Sequence, residues 1–280
     1  MIILDGKKVA DEICKGLKER VNRLVKIGVH PYLNIIVANK DKASLLYVQK
    51  KQKVADNIGI KTKVFAYEDF EYINYLKYED VLISKKQVPT ITEMPIQNTH
   101  FVYRLFNDFP SIDVDGFSLI HMGHLLTDTY FSYCPCTPKG IMRLLDTYNI
   151  PIEGKNVTIL GRSNIVGRPL SAMMLNKNAT VTVCHTNTPI FVMKQHCINA
   201  DIIVSATGIP NLVTKDMVSQ NAVVIDAGMN RNAEGKLCGD VDFENVAPIC
   251  SYITPVPKGV GPMTVAMLME NVVVYYENFA

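Results

Sequence analysis

The stretch Gly161-Arg162-Ser163-Asn164-Ile165-Val166-Gly167-Arg168-Pro169 constrains this chain more than any other. An apolar run, Val157 to Leu160, precedes it and reads as a short buried strand. Leu170 to Leu175 follows and reads as a helix. A strand, a tight glycine turn and a helix together point backbone N–H groups at a phosphate. Gly161 suits the turn, and Gly167 suits close packing of helix on sheet. The spacing departs from G-x-G-x-x-G, because Ser163 and Val166 occupy its second and third glycine places. Spacing alone therefore leaves two readings open, a phosphate-binding turn and an ordinary βα turn with helpful glycines.

Length and composition bound what surrounds this turn. At 280 residues the chain has room for about two domains. Apolar residues make up 48%, enough for a core and too interrupted for a membrane span. A net charge of +2 gives no reason to invoke nucleic acid or a membrane surface. Asp5 and Gly6 follow Met1 closely, so no basic, apolar leader is read and a cytoplasmic protein is expected. The seven cysteines are odd in number and include no C-x-x-C. Buried free thiols are expected, and no metal site.

In the first half, Val9, Ile13, Leu17, Val21 and Leu24 repeat at helical spacing within Asp5 to Ile27, and Gly28 and Pro31 end that helix. Leu33 to Ala38 reads as a strand. Asp41 can cap a second helix running to about Asn57. Lys61 to Tyr67 reads as a strand, Glu71 to Leu82 as a weak helix, and Thr90 to Met94 as a strand stopped by Pro95. Such alternation implies an α/β domain with mostly parallel pairing. On the second helix Ser44, Tyr47 and Lys51 share one face at about 100° per residue. A hydroxyl, a ring and an amine there suit a flat polar ligand; a solvated helix in a lysine-rich segment is the other reading. Asp113-Val114-Asp115-Gly116-Phe117 follows. If extended, it sends both carboxylates to one side before Gly116 turns the chain; a polar turn is the alternative, and an EF-hand lacks its further oxygen ligands here. In Pro135-Cys136-Thr137-Pro138-Lys139-Gly140, Thr137 can cap a helix with Pro138 at its first position.

In the second half, strand candidates recur at Val157–Leu160, Thr180–Cys184, Asp201–Ala206, Ala222–Ala227 and Tyr252–Pro255. They predict a Rossmann-like, doubly wound parallel sheet. Small or polar loops follow each strand: Gly161-Arg162-Ser163, His185-Thr186-Asn187-Thr188, Thr207-Gly208, Gly228-Met229-Asn230 and Val256-Pro257-Lys258-Gly259. Loops of this kind along one sheet edge favour dinucleotide binding. No Asp or Glu ends the second strand, where NAD enzymes hold the ribose 2′-OH. Arg162 with nearby hydroxyls suits a 2′-phosphate instead, so NADP is expected. His185 reads as an adenine neighbour or as a loop histidine. Gly259-Val260-Gly261-Pro262-Met263-Thr264 closes the set, its glycines allowing close backbone approach to a ligand. Pro262 or Thr264 can start a final helix to about Tyr276.

Taken in order, these motifs resemble the bifunctional methylenetetrahydrofolate dehydrogenase/methenyltetrahydrofolate cyclohydrolase family over nearly the whole chain. The marks are Ser44 with Tyr47-Val48-x-x-Lys51, Asp113 to Phe117, Pro135 to Gly140, the Gly161 to Pro169 turn, and Thr254-Pro255-x-Pro257-x-Gly259 running on to Thr264. The resemblance implies oxidation of 5,10-methylenetetrahydrofolate with NADP+ and hydrolysis of the methenyl product to 10-formyltetrahydrofolate. It implies that Lys51 serves the hydrolysis, that Tyr47 stacks on the folate and that Asp115 holds the pterin edge. Ser44, Gly261 and Pro262 join the substrate contacts. Gly161, Arg162, Ser163, Ile165, Val166, His185, Thr186, Thr207 and Gly208 form the cofactor set. A homodimer is common in the family.

One departure is informative. The family strand near the site normally reads Val-Gln-Leu-Pro-Leu-Pro, whereas this chain reads Thr92-Glu93-Met94-Pro95-Ile96-Gln97. A glutamate thus replaces the neutral glutamine that meets the lysine. A nearby carboxylate favours the ammonium form, and a lysine pKa higher by one leaves roughly tenfold less neutral amine. Weakened hydrolysis is expected. His121 stands where asparagine is usual.

The expected architecture is two α/β domains with an interdomain cleft. Residues 1–140 with a C-terminal helix, 264–280, form the folate-binding catalytic domain, and residues 141–263 form the NADP-binding domain. A dehydrogenase without hydrolysis and a non-catalytic nucleotide-binding protein are the rivals.

Overall fold

Apolar β-branched runs separated by amphipathic stretches become strands and helices in close register with their spacing. The computed structural model describes residues 1–37, 42–66, 88–93, 99–129, 133–232 and 234–279. In chain order the first elements are β1 (Ile2–Ile3), α1 (Gly6–Lys26), β2 (Tyr32–Val37), α2 (Lys42–Ile58), β3 (Lys61–Ala66) and β4 (Thr90–Glu93). Then come α3 (Thr99–Asp108), α4 (Leu119–Thr127), α5 (Cys136–Thr147), β5 (Asn156–Leu160), α6 (Gly167–Leu175), β6 (Thr180–Cys184) and α7 (Ile190–Ile198). The last are β7 (Ile202–Ser205), β8 (Val223–Asp226), β9 (Asn230–Arg231), β10 (Leu237–Cys238), α8 (Phe243–Val246), β11 (Tyr252–Ile253) and α9 (Val260–Phe279). The weak helix expected over Glu71 to Leu82, the Asp41 cap and the segment from Met94 to Gln97 lie outside the described residues.

The chain divides into two compact units. One holds Met1–Asp11, Leu125–Thr129 and Pro135–Thr264; the other holds Glu12–His124, Tyr130–Cys134 and Val265–Ala280. The first unit carries a six-stranded sheet in the order β1-β11-β8-β7-β5-β6, with every neighbouring pair parallel. Every residue of β7 and β8 is buried, as parallel strands covered on both faces require. Leu160, Cys197, Ile203, Val224 and Ile253 are fully buried in one core cluster. The order turns at β5, which has β6 on one side and β7 on the other. Ligands of doubly wound sheets bind outside the carboxyl ends of the strands at such a point.

The second unit carries the parallel sheet β3-β2-β4. Leu33, Ile35, Ile36 and Val37 of β2 are at most 1% exposed, which fixes this strand as the centre of its core. On α1 the residues Val9, Leu17, Val21 and Leu24 are buried and Ile13 half-buried, as their period predicts. Gly28, at φ +84°, ends that helix.

Two helix starts differ from expectation. Thr137 does not cap α5, which already begins at Cys136 behind Pro135. Its hydroxyl instead shares a 3.0 Å hydrogen bond with that of Thr264. The final helix begins at Val260 and runs past Tyr276 to Phe279. All seven cysteines are free thiols. Among the described residues, no helix is long and apolar enough to cross a membrane.

Candidate active site

The helical period of α2 sets out its polar candidate side chains. Ser44 and Lys51 are buried and Tyr47 is half-buried, while Leu45, Leu46 and Lys50 are exposed. Val48, Ala55 and Ile58 turn into the core. Glu93 ends β4, in register with Val37 of β2. Lys51 Nζ donates to Glu93 Oε2 at 2.6 Å, and the two side chains are only 10% and 8% exposed. Burial raises the Glu93 carboxyl above its ordinary pKa; Lys51 opposes this by charge and hydrogen bond, and Asp115 adds to it. Burial also raises the Tyr47 phenol, against the pull of Lys51. An amine, a carboxylate and a neutral phenol thus meet at one place in a poorly solvated setting. Next to Glu93, Thr92 Oγ1 is buried without a hydrogen-bond partner among the described residues.

The Asp113 to Phe117 segment is a turn and not an extended strand, so its two aspartates do different work. Asp113 is fully buried. Its Oδ1 accepts the Gly116 N–H at 2.9 Å and its Oδ2 the Ser118 N–H at 2.6 Å. Burial pushes its carboxyl up to about 7, opposed by the Ser118 N–H. Asn271 on α9 braces the same turn by donating to the Val114 carbonyl at 2.8 Å. Gly116 has φ +76°, and a Cβ there would stand 2.3 Å from the Tyr133 carbonyl oxygen. The turn holds Asp115, 8% exposed, beside the Lys51–Glu93 pair, where its charge acts on Glu93. His121 is also buried; its Nε2 donates to the Pro110 carbonyl at 2.9 Å, and its ring meets Tyr133 edge-on.

In the other unit, glycines close the turn after β5. Gly161 has φ +112°, and a Cβ there would lie 2.4 Å from the Ala206 carbonyl oxygen. A Cβ on Gly167 would lie 2.1 Å from the Gly161 carbonyl oxygen. The exits of β5 and β7 therefore touch backbone to backbone at the point where strand order turns. Ser163 Oγ accepts the Val166 N–H at 3.1 Å, and α6 starts with no side-chain cap. Arg162 and Ser163 are exposed, and Ile165 and Val166 half-buried. This turn offers an exposed cation, a hydroxyl and an uncapped helix start, a combination suited to a phosphate.

The remaining candidates sit on neighbouring loops. After β6, His185 Nδ1 accepts the Asn187 N–H at 3.2 Å, and the His185 N–H donates to Thr188 Oγ1 at 3.0 Å; Thr186 is exposed. After β7, Thr207 donates both its N–H and its hydroxyl to Asp240 Oδ2, at 2.7 and 2.9 Å. Gly261 and Pro262 lie half-buried in the first turn of α9. The bracing roles of Asp113, Asp226 and Asp240 leave no signal in the sequence. Burial pushes the Asp226 carboxyl up to about 6, opposed by N–H donors from Asp240, Val241 and Gly228.

A sheet of this order, carrying a glycine-closed turn at its reversal, defines a nucleotide-binding α/β protein. Residues 135–280 match the tetrahydrofolate dehydrogenase/cyclohydrolase NAD(P)-binding domain, and residues 4–77 match the catalytic domain of the same name. The chain belongs to the tetrahydrofolate dehydrogenase/cyclohydrolase family. It is 44% identical to the bifunctional protein FolD of Sulfurihydrogenibium, covering 99% of this chain and 98% of that one. The crystal structure of bifunctional FolD from Campylobacter jejuni superposes with TM-score 0.93 at 40% identity, covering all of both chains. The Trypanosoma brucei enzyme, solved with NADP cofactor and an inhibitor, gives TM-score 0.92 at 31% identity over 100% of this chain and 98% of its own.

Proposed function

We propose that this chain oxidises 5,10-methylenetetrahydrofolate with NADP+ and then hydrolyses the methenyl product to 10-formyltetrahydrofolate, the second step being slowed by Glu93. The observation that carries the reading is the buried 2.6 Å Lys51–Glu93 pair on the helix face that also bears Tyr47. Family membership supports the two activities, and the pair bears on their ratio.

The residues divide the work by their chemistry. Tyr47 offers a ring face to a pterin, Asp115 accepts N–H donors from its edge, and Ser44, Gly261 and Pro262 complete the substrate contacts. In the turn after β5, Arg162 and Ser163 hold the 2′-phosphate, with Gly161, Ile165 and Val166 shaping the backbone there. His185, Thr186, Thr207 and Gly208 complete the NADP set. When bound, NADP+ accepts the hydride that leaves the one-carbon bridge. Hydride transfer needs positioning more than a protein base.

Hydrolysis is different. Water adding to the methenyl carbon must lose a proton, and Lys51 Nζ can take it only as the free amine. A carboxylate at 2.6 Å holds that amine as ammonium. Gly261 and Pro262 apart, the folate contacts belong to residues 1–140 with 264–280 and the NADP contacts to residues 141–263. Free thiols throughout the chain fit the reducing cytoplasm. A homodimer forms along β6, one of the two edge strands of the large sheet. Leu175, Ile190 and Phe191, on the helices either side of β6 in sequence, are each about 60% exposed, as an unpaired edge awaiting a second copy would leave them.

The test is purified protein with methylenetetrahydrofolate and NADP+ or NAD+, followed spectrally through the methenyl intermediate. The expected result is NADP+-dependent formation of methenyltetrahydrofolate and its accumulation before slow decay. No oxidation with either nucleotide overturns the assignment. Oxidation with no methenyl accumulation overturns the slowing by Glu93.

A further inference from the structure

Asp240 lies where β7, β8 and the chain after β10 converge, and it is 0% exposed. Its Oδ2 accepts from the Ser205 hydroxyl at 2.9 Å, the Thr207 N–H at 2.7 Å, the Thr207 hydroxyl at 2.9 Å and the Gly208 N–H at 3.3 Å. Its Oδ1 accepts from Asn230 Nδ2 at 2.8 Å. The side chain thus ties the loop after β7 to the loop after β8. A second buried carboxylate fixes Asp240 in turn. Asp226 Oδ1 accepts the N–H of Gly228 at 2.9 Å and of Asp240 at 3.0 Å, and its Oδ2 accepts the Val241 N–H at 2.9 Å.

We propose that Asp240 is a positioning residue for the dinucleotide: it sets the conformation of Thr207–Gly208 and dictates which face of Thr207 a ligand meets. The inference rests on reading Thr207–Gly208 as part of the cofactor set. An ionised carboxylate accepts at both oxygens and brings no donor of its own, so converging donors share it, and bonds to a charged acceptor are the strong ones. Burial keeps water from replacing any that is lost. The Thr207 hydrogen points at Asp240 and one lone pair takes the Ile209 N–H at 3.3 Å, so the hydroxyl has a single acceptor site left for a ligand. A ligand group there must bring an N–H or O–H, as a ribose hydroxyl or a carboxamide does. The phosphates belong instead at the Gly161 turn, where the helix start and Arg162 lie. Asp240 thereby sorts the sugar or carboxamide end of the dinucleotide from its phosphates.

The test compares the whole enzyme with Asp240→Asn and Asn230→Ala. Asp240→Asn replaces one acceptor oxygen with a donor. It is expected to raise the KM and the calorimetric Kd for NADP+ about tenfold or more. The KM for methylenetetrahydrofolate and the hydrolysis of added methenyltetrahydrofolate, which needs no dinucleotide, stay within about twofold of wild type. Asn230→Ala frees Oδ1 alone and is expected to raise the NADP+ constants a few-fold in the same direction; it decides the matter should Asp240→Asn not fold. Equal loss of both activities, or NADP+ constants unmoved in the folded variants, overturns the proposal. Wild-type protein that binds NADP+ without turning over the folate counts against the proposed function, while the calorimetric comparison still tests Asp240.

Discussion

Lys51 and Glu93 form an ion pair at 2.6 Å, with both side chains about nine-tenths buried. They stand 42 positions apart in sequence and meet because α2 packs near the end of β4. In the function proposed above, the charge on this pair sets the balance between hydrolysis and oxidation.

Replacing Glu93 by Gln removes the charge and keeps an acceptor for the amine. The ratio of hydrolysis to oxidation is expected to rise, by roughly tenfold if the lysine pKa falls by one. Parallel assays of the two steps near pH 7.5 measure it. An unchanged ratio would show that the carboxylate does not restrain Lys51.

Three buried carboxyls move in one direction. Burial raises Asp113 to about 7, Asp226 to about 6 and Glu93 above its ordinary value. A carboxyl whose folded pKa exceeds its unfolded value binds protons more readily when folded. Its contribution to stability is complete below the unfolded pKa and is lost as pH rises through the folded pKa. For Asp113 and Asp226 that window runs from about 4 to about 7. Thermal unfolding is therefore expected at a higher temperature at pH 5.5 than at pH 8. Equal unfolding temperatures would mean that these groups stay ionised across that range.

Thr92 carries a buried hydroxyl with no partner among the described residues. An unmade hydrogen bond of this kind costs about 1–3 kcal/mol, and an apolar group of the same shape avoids that cost. Thr92→Val is expected to stabilise the protein by about 1 kcal/mol in urea unfolding. A loss of stability would reveal a partner for the hydroxyl.

Gly167→Ala drives a methyl to 2.1 Å from the Gly161 carbonyl oxygen. Backbone must give way, at a cost of about 1–3 kcal/mol. Because the displaced carbonyl belongs to the turn proposed to hold the phosphate, the KM for NADP+ is expected to rise about tenfold. Hydrolysis of methenyltetrahydrofolate should persist. Equal loss of the two would point to general unfolding.

Much of the fold is legible in the chain. The apolar runs mark the strands of the large sheet within a residue or two, because buried parallel strands carry a continuous signal. The 3.6-residue period places Ser44, Tyr47 and Lys51 together on α2, as found. Glu93 comes to notice only through its departure from a family pattern, since no local period links residues so far apart. Other features leave too little trace. β1 is two residues long, below the reach of any periodicity. Asp113 looks like the twin of Asp115 in the sequence, yet backbone N–H groups draw it inward. Asp240 sits in a Gly-Asp pair that any surface turn could contain; its neighbours at Ser205 and Thr207 become visible only once the sheet is assembled.

The two buried aspartates of the large sheet also pack crosswise against glycines. A Cβ at Gly239 would stand 1.9 Å from Asp226, and one at Gly228 would stand 2.1 Å from Asp240. Each carboxylate fills the space left free by a glycine within two residues of the other. These four positions can drift only together, so over evolutionary time the square should outlast most of its surroundings. The hairpin of β9 and β10 springs from between its corners, anchored at both feet. Its tip is then free to lengthen, shorten or change composition from one species to the next without disturbing the loops after β7 and β8.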